Sequence, residues 1–187
     1  MVDIETLGTR PGAVIVSIGG VFFDDDGIDK PFYSAIDVFS SLMAGLVVDT
    51  EAVAWWRKQS NEARGPLLNG RHGLGAALQD FARWIDGAVT VWAKGPDFDL
   101  VLLQAAYELL GQQIPWSYRN ARDVRTVLAL ADVDPIKSGT KHHALDDAKA
   151  QAESVQRAYH ALGKKLGPGD RGQTLGGQVY QGIQDTL

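Results

Sequence analysis

Asp3 and Glu5 stand two residues apart at the start of the chain. On a strand, alternate side chains leave the same face, so both carboxylates would point one way. Two acids placed together on a buried strand repel each other and are poorly solvated unless a cation sits between them. A further acid, Asp99, directly follows Phe98, and Asp97 competes with it for the same role. The third group lies in His142-His143-Ala144-Leu145-Asp146-Asp147-Ala148. Five residues of regular helix turn through about 500°, which puts His142 and Asp147 on different faces. They converge only if His142 sits in a loop and Asp147 on the helix, and the polar Ser138-Gly139-Thr140-Lys141 run before the histidine suits a loop. Hard carboxylate oxygens fit Mg²⁺ or Mn²⁺, and histidine exchanges protons near neutral pH. Each fragment alone has an ordinary explanation: Asp99 as a helix N-cap, Asp146 and Asp147 as acids favoured at a helix N-terminus. Together they could hold a pair of metal ions for hydrolysis.

The elements that must position these groups can be read in order. Met1–Ile4 is a first strand, with only two residues before Asp3, so either the strand is short or the natural chain starts further upstream. Ala13–Phe23 is rich in Val, Ile and Phe, and Asp24-Asp25-Asp26-Gly27 ends it as a turn. Pro31–Val38 is expected to pair back as a third strand. Thr50 caps a helix through Trp56, and Ser60 caps another to Leu68. Leu74–Ile85 carries apolar residues at 74, 77, 78, 81, 82 and 85, the spacing of one buried helix face. Strand Val89–Ala93, helix Leu100–Leu110, strand Tyr118–Ala121 and helix Val124–Ala131 then alternate, which implies parallel pairing with right-handed crossovers. Ala144–Leu162 is the longest helix. The acids thus fall at the first strand, after a later strand and at the start of the last helix, positions that an α/β sheet gathers at one crevice.

In that order, Asp3-Ile4-Glu5-Thr6, Phe98-Asp99 and His142-x-Ala144-x-x-Asp147-Ala148 resemble the three motifs of the DEDDh family of 3′→5′ exonucleases (DnaQ-like), over residues 1 to about 160. The stretches Ala13–Gly19, Asp49–Arg64 and Arg122-Asp123-Val124-Arg125-Thr126 further resemble phage and prophage exodeoxyribonucleases of the exonuclease VIII-like group. One departure is Gly95-Pro96 before Asp97-Phe98-Asp99, where many relatives carry Asn-Ala before the Phe-Asp pair. The resemblance implies an α/β, ribonuclease H-like fold: a mixed five-stranded sheet, three antiparallel strands then two parallel, flanked by helices. An exonuclease domain at 1–165 is expected, followed by a Gly-rich tail at 166–187, because the composition changes at Gly167-Pro168-Gly169-Asp170-Arg171-Gly172. Asp3, Glu5, Asp99 and Asp147 would hold two Mg²⁺ ions, with Mn²⁺ as a substitute. His142 would act as the base toward the attacking water. Thr6 and Leu7 would contact the terminal nucleotide, through backbone and packing respectively. The expected substrate is a DNA 3′ end, single-stranded by preference. RNA is the alternative, because the motifs do not read the sugar.

Other features narrow the field. Trp55 and Trp56 could stack on a base, but adjacent helical residues point about 100° apart, so at most one faces substrate; Trp56 is assigned that role. Arg57, Lys58 and Arg64 could bind phosphate or simply form a solvated basic face. Arg122 and Arg125 flank a helix near the expected crevice, where a structural ion pair with Asp123 or Asp147 competes. His72, His143 and His160 receive no role. The absence of cysteine removes disulfides, thiolate zinc sites and cysteine nucleophiles, and fits a reducing compartment. No secretory signal pattern is visible, and apolar runs such as Ala13–Ile18 are too short to span a membrane. A cytoplasmic location in a bacterial or phage-infected cell is therefore expected. The net charge of −5 weighs little against nucleic acid, because four of the acids would be neutralised by metal. A binding module that has lost turnover and a hydrolase of small nucleotides are the competing classes. Oligomeric state stays open, a homodimer included.

Overall fold

A computed structural model describes residues 1–166 of the chain; apart from Leu166, the expected tail lies outside the described residues. β1 (Val2–Thr6), β2 (Ile15–Asp24) and β3 (Gly27–Ala35) form an antiparallel sheet with β2 in the centre. The acidic turn is closed by Asp24, whose Oδ1 accepts hydrogen bonds from the backbone N–H groups of Asp26 and Gly27 at 2.9 and 3.2 Å. β3 begins earlier than the sequence suggests and stops at Ala35, because Asp37 breaks the strand. Its carboxylate accepts from the N–H groups of Phe39 and Ser40 and caps a short helix, α1 (Val38–Met43).

Strand alternation sorts β1 into two faces. Val2, Ile4 and Thr6 are buried, while Asp3 and Glu5 are only partly buried on the opposite face. In register, Asp3 pairs with Gly19 and Glu5 with Ser17. A bulge follows Glu5, where Thr6 pairs with Ile15 and one residue of β2 is left over. Such a bulge bends the chain away from the ladder, here just past the second carboxylate.

Downstream helices are α2 (Thr50–Trp56), α3 (Asn61–Asn69) and α4 (Leu74–Ile85). The N-cap of α2 is Asp49, whose carboxylate accepts from the Glu51 N–H, one residue before the expected Thr50. Ser60 caps α3 as expected. The apolar face of α4, from Leu74 to Ile85, is buried in the main core with Leu103, Ala106 and Tyr107 of the following helix. Tyr107 is fully buried, yet its hydroxyl donates to the Leu78 carbonyl at 2.6 Å, so no polar atom is stranded. His72 ties β3 to α4, because its Nδ1 meets Ser34 Oγ at 3.0 Å and its Nε2 lies 3.3 Å from Asp80.

β4 (Val91–Ala93) and β5 (Ala121–Asp123) are three residues each and pair in parallel, with α5 (Asp99–Leu109) between them in sequence. Tyr118–Asn120, expected to be strand, is a 3₁₀ turn. The two short strands form their own two-stranded sheet, which corrects the expectation of a single five-stranded one. β4 packs beside β1, but the Ile4 N–H donates to the Asp99 carboxylate at 3.1 Å. A side chain thus takes a donor that a continuous ladder would need.

A second core joins Val21 and Trp92 to α6 (Val124–Ala131) and α7 (Ala144–Ala161), through Val124, Val127, Leu128, Ala148, Ala152, Val155 and Ala158. α7 lies against β2, and Gly19 makes the approach possible. A Cβ at Gly19 would overlap the Ala144 carbonyl carbon and the Leu145 amide nitrogen. The first turn of α7 is thereby seated directly over the face that carries Asp3 and Glu5. No helix among the described residues is long and apolar enough to cross a membrane.

Candidate active site

Three elements bring the acids together. Asp3 and Glu5 come from β1, Asp99 from the start of α5 and Asp147 from the first turn of α7. Asp99 opens its helix without capping it; the N-cap position is Phe98 and has no side-chain cap bond. Its carboxylate turns instead toward β1, where Oδ1 accepts from the Ile4 N–H. Asp99 is buried, whereas its competitor Asp97 is exposed. The structure therefore turns Asp99, not Asp97, toward the pair on β1.

His142 and Asp147 converge as the spacing demands. His142 lies in the loop with φ of 61°, a left-handed conformation uncommon for a residue with a side chain. Its N–H donates to Asp147 Oδ2 at 2.9 Å. Glu5, His142 and Asp147 each offer an atom that could bind metal, and these atoms lie within 4.8 Å of one another.

The electrostatics of the cluster are those of crowded, poorly solvated acids. Burial, then Asp99 and Glu5, push the Asp3 carboxyl well above the usual range, against the Gln151 side chain, which donates to Asp3 Oδ1 at 2.7 Å. Glu5 is pushed up to about 8 by burial first, then by Asp147 and Asp99. Asp99 rises to about 7 through burial, opposed by the Ile4 N–H and by the nearby positive charge of Arg125. None of the four carboxylates makes an ion pair with a Lys, Arg or His among the described residues. Hard oxygen donors that repel one another and have no protein counter-ion fit divalent cations well.

The residues expected to contact substrate, Thr6, Leu7 and Trp56, are all buried at the end of β1 or against it. Trp56 is 3% exposed and its Nε1 donates to the Thr6 carbonyl at 2.8 Å, so it braces the end of β1 from inside. The ring presented to solvent is Trp55, 42% exposed, with its centroid 4.7 Å from that of His142 in an edge-on arrangement. Leu7 belongs to the main core, and its N–H and C=O are both taken, by Val14 and Asp49. Thr6 is buried and its hydroxyl donates to the Gly8 carbonyl at 2.6 Å. Beside His142 a cleft of about 370 Å³ opens between Gln59, Ser60, Ala63, Thr140 and Lys141. A larger one of about 550 Å³ is lined by Val21, Trp84 and Val91 among others, and neither cleft is lined by Asp3, Glu5, Asp99 or Asp147.

Sequence reasoning missed Gln151 and Gly19. Gln151 stands four residues after Asp147 on α7, one turn further along the same face, and that spacing was the available signal. Gly19 lies inside a strand pattern, where an isolated glycine marks a close approach of backbone.

The family of the chain follows from a match to its sequence model. Residues 1–159 match the model described as "3′-5′ exoribonuclease Rv2179c-like domain", and the chain belongs to that Rv2179c-like family. Among solved structures it is similar to cell-death related nuclease 4 (CRN-4), with 12% sequence identity and a TM-score of 0.55. That match covers 85% of this chain and 63% of the nuclease, and at this identity it supports the shared fold. Comparison with curated proteins finds no match. The expected closeness to phage exodeoxyribonucleases finds no support in these comparisons, and the family description speaks of ribonuclease rather than deoxyribonuclease action.

Proposed function

We propose that residues 1–165 form a divalent-metal-dependent 3′→5′ exonuclease that removes nucleoside 5′-monophosphates from single-stranded RNA ends. One observation carries this reading: four carboxylates from three separate elements meet beside a histidine, with no cation of the described residues paired to any of them. Membership of a family described as exoribonucleolytic supports the direction and the sugar.

Asp3, Glu5, Asp99 and Asp147 would hold two Mg²⁺ ions, with Mn²⁺ able to replace them. Bound there, the ions would polarise the scissile phosphate and stabilise charge on the leaving 3′ oxygen. The protein's own part is placement and proton transfer. Gln151 orients Asp3, the Ile4 N–H orients Asp99, and the His142 N–H orients Asp147. His142, held edge-on by Trp55 and Trp56, accepts the proton of the attacking water as its oxygen bonds to phosphorus. The bond from phosphorus to the 3′ oxygen of the preceding nucleotide breaks, and that oxygen takes a proton from solvent. Trp55, rather than the expected Trp56, offers a stacking surface for the terminal base.

The test is degradation of RNA and DNA of one sequence, labelled at either end, with Mg²⁺ present. Mononucleotide release from the 3′ end of RNA, faster than from DNA, is expected. Faster DNA cleavage would restore the exodeoxyribonuclease reading, and release from the 5′ end would overturn both.

A further inference from the structure

One cation close enough to act on Asp99, Arg125, has no ion-pair or hydrogen-bond partner among the described residues. Arg125 stands in the first turn of α6, next to the N-cap residue Asp123. Asp123 looks like its natural counter-ion, but that carboxylate is fully engaged. Its Oδ1 accepts from the N–H groups of Gly95 and Arg125, and its Oδ2 from the N–H and hydroxyl of Thr126. The Arg125 guanidinium lies instead over Gly95, just past the end of β4. That glycine has φ of 103°, and a Cβ on it would overlap Arg125 Nη1.

Gly95 in turn supports the acid site, because its carbonyl accepts from the N–H groups of Phe98 and Asp99. Arg125 is thus led to the rim of the acidic crevice, on the Asp99 side. Its charge reaches Asp99 and draws that carboxyl downward, yet the guanidinium makes no ion pair or hydrogen bond with any described residue. Arg122, three residues earlier, differs: its Nη1 is committed to the carbonyls of Arg119 and Ala121. Asp97 Oδ1 is on the same side of Gly95 as Arg125 but beyond ion-pair distance. An exposed arginine fork that makes no ion pair or hydrogen bond among the described residues has the geometry for bidentate phosphate recognition beside a site for phosphate esters.

We propose that Arg125 binds a phosphodiester of the substrate strand adjacent to the scissile one, holding the strand across the Gly95 rim while the terminal linkage sits among the acids. This rests on the exonuclease reading above. The position at the rim, beyond ion-pair distance of Asp99, assigns it to a neighbouring phosphate and not to the reacting group.

The test compares Arg125→Gln and Arg125→Lys with wild type on two substrates: an unstructured oligonucleotide, and the p-nitrophenyl ester of a nucleoside 5′-monophosphate, which has only the scissile phosphate. With the oligonucleotide, Arg125→Gln should raise KM on the order of tenfold. The dependence of log KM on log salt should flatten by about 0.7, the contribution of one phosphate contact on a single strand. Ester hydrolysis should stay within about twofold of wild type, since one uniform binding contact is absent from that substrate. Arg125→Lys should recover part of the affinity. Equal losses on both substrates would show that Arg125 acts through Asp99 or the scissile group, and no loss on either would remove its role; each result overturns the proposal. If wild type cleaves neither substrate, the exonuclease reading fails, and binding of the same fluorescent oligonucleotide by anisotropy still decides this one. Weaker binding by Arg125→Gln would support the phosphate contact, while equal binding or none would overturn it.

Discussion

The backbone N–H of His142 donates to Asp147 Oδ2 at 2.9 Å, across five residues that a continuous helix would place on different faces. The contact exists because His142 leaves the helix path with φ of 61°. A side-chain-bearing residue in this region costs on the order of 1 kcal/mol or more, and the bond to Asp147 and the packing against Trp55 and Trp56 hold it there.

This strain makes His142→Gly informative. Glycine adopts the same backbone without a Cβ clash, so the Tm should hold or rise. Exonuclease activity should fall by roughly 10²- to 10⁴-fold, the usual worth of a positioned base. Thermal melts and initial rates measured together check this; a stable variant with full activity would remove His142 from the chemistry.

The acids predict an unusual pH dependence in metal-free protein. Glu5, pushed up to about 8, and Asp99, to about 7, bind protons more tightly in the folded chain than in the unfolded one. Their favourable contribution is complete below the ordinary carboxylate range and is lost as pH rises through about 7 to 8. Tm in a chelator should therefore drop between about pH 5 and pH 8, and Mg²⁺ should raise it far more at the upper end. Glu5→Gln should flatten the profile. A metal-free Tm that is level or climbs across this window would contradict the crowding of the acids.

Trp55 and Trp56 separate binding from stability. Trp55→Ala should leave the Tm nearly unchanged and weaken oligonucleotide binding by roughly 1–3 kcal/mol, the worth of one stacked base. Trp56→Ala should destabilise by about 3–5 kcal/mol through the cavity it leaves, with the added loss of its bond to the Thr6 carbonyl. Denaturant titrations and KM values for both variants would show the reverse pattern if Trp56 were the stacking ring.

Gly19→Ala tests the seating of α7. Its new methyl would meet the Ala144–Leu145 peptide, backbone that cannot swing aside, at an expected cost of about 1–3 kcal/mol. Displacing the helix start also moves Asp147 from β1, so activity should fall by more than the loss of folded protein explains. Activity per folded molecule equal to wild type would show that the close approach does not position the site.

Much of this arrangement was legible in the chain. The two-residue spacing of Asp3 and Glu5 placed them on one strand face, and the five-residue spacing of His142 and Asp147 required the loop that the fold contains. The buried face of α4 followed from its periodicity. What was not legible depends on contacts between distant segments. The choice of Asp99 over Asp97 is made by the Ile4 N–H, 95 positions away in the chain. Helical spacing alone could not say which of Trp55 and Trp56 turns inward; the Thr6 carbonyl decides it. Whether Arg125 pairs with Asp123 is likewise beyond the spacing; the Asp123 carboxylate is taken by backbone N–H groups and the Thr126 hydroxyl.

The most direct test of the proposed site compares wild type with Asp147→Ala on 3′-labelled single-stranded RNA in Mg²⁺, with circular dichroism confirming the fold of both. Wild type should release labelled nucleoside monophosphate in a reaction abolished by chelator. The variant should be folded and slower by at least about 10³-fold, comparable to loss of a principal electrostatic group at a reacting phosphate. A folded Asp147→Ala protein that still shortens the RNA from its 3′ end at the wild-type rate would contradict the assignment of this acid–histidine cluster as the active site.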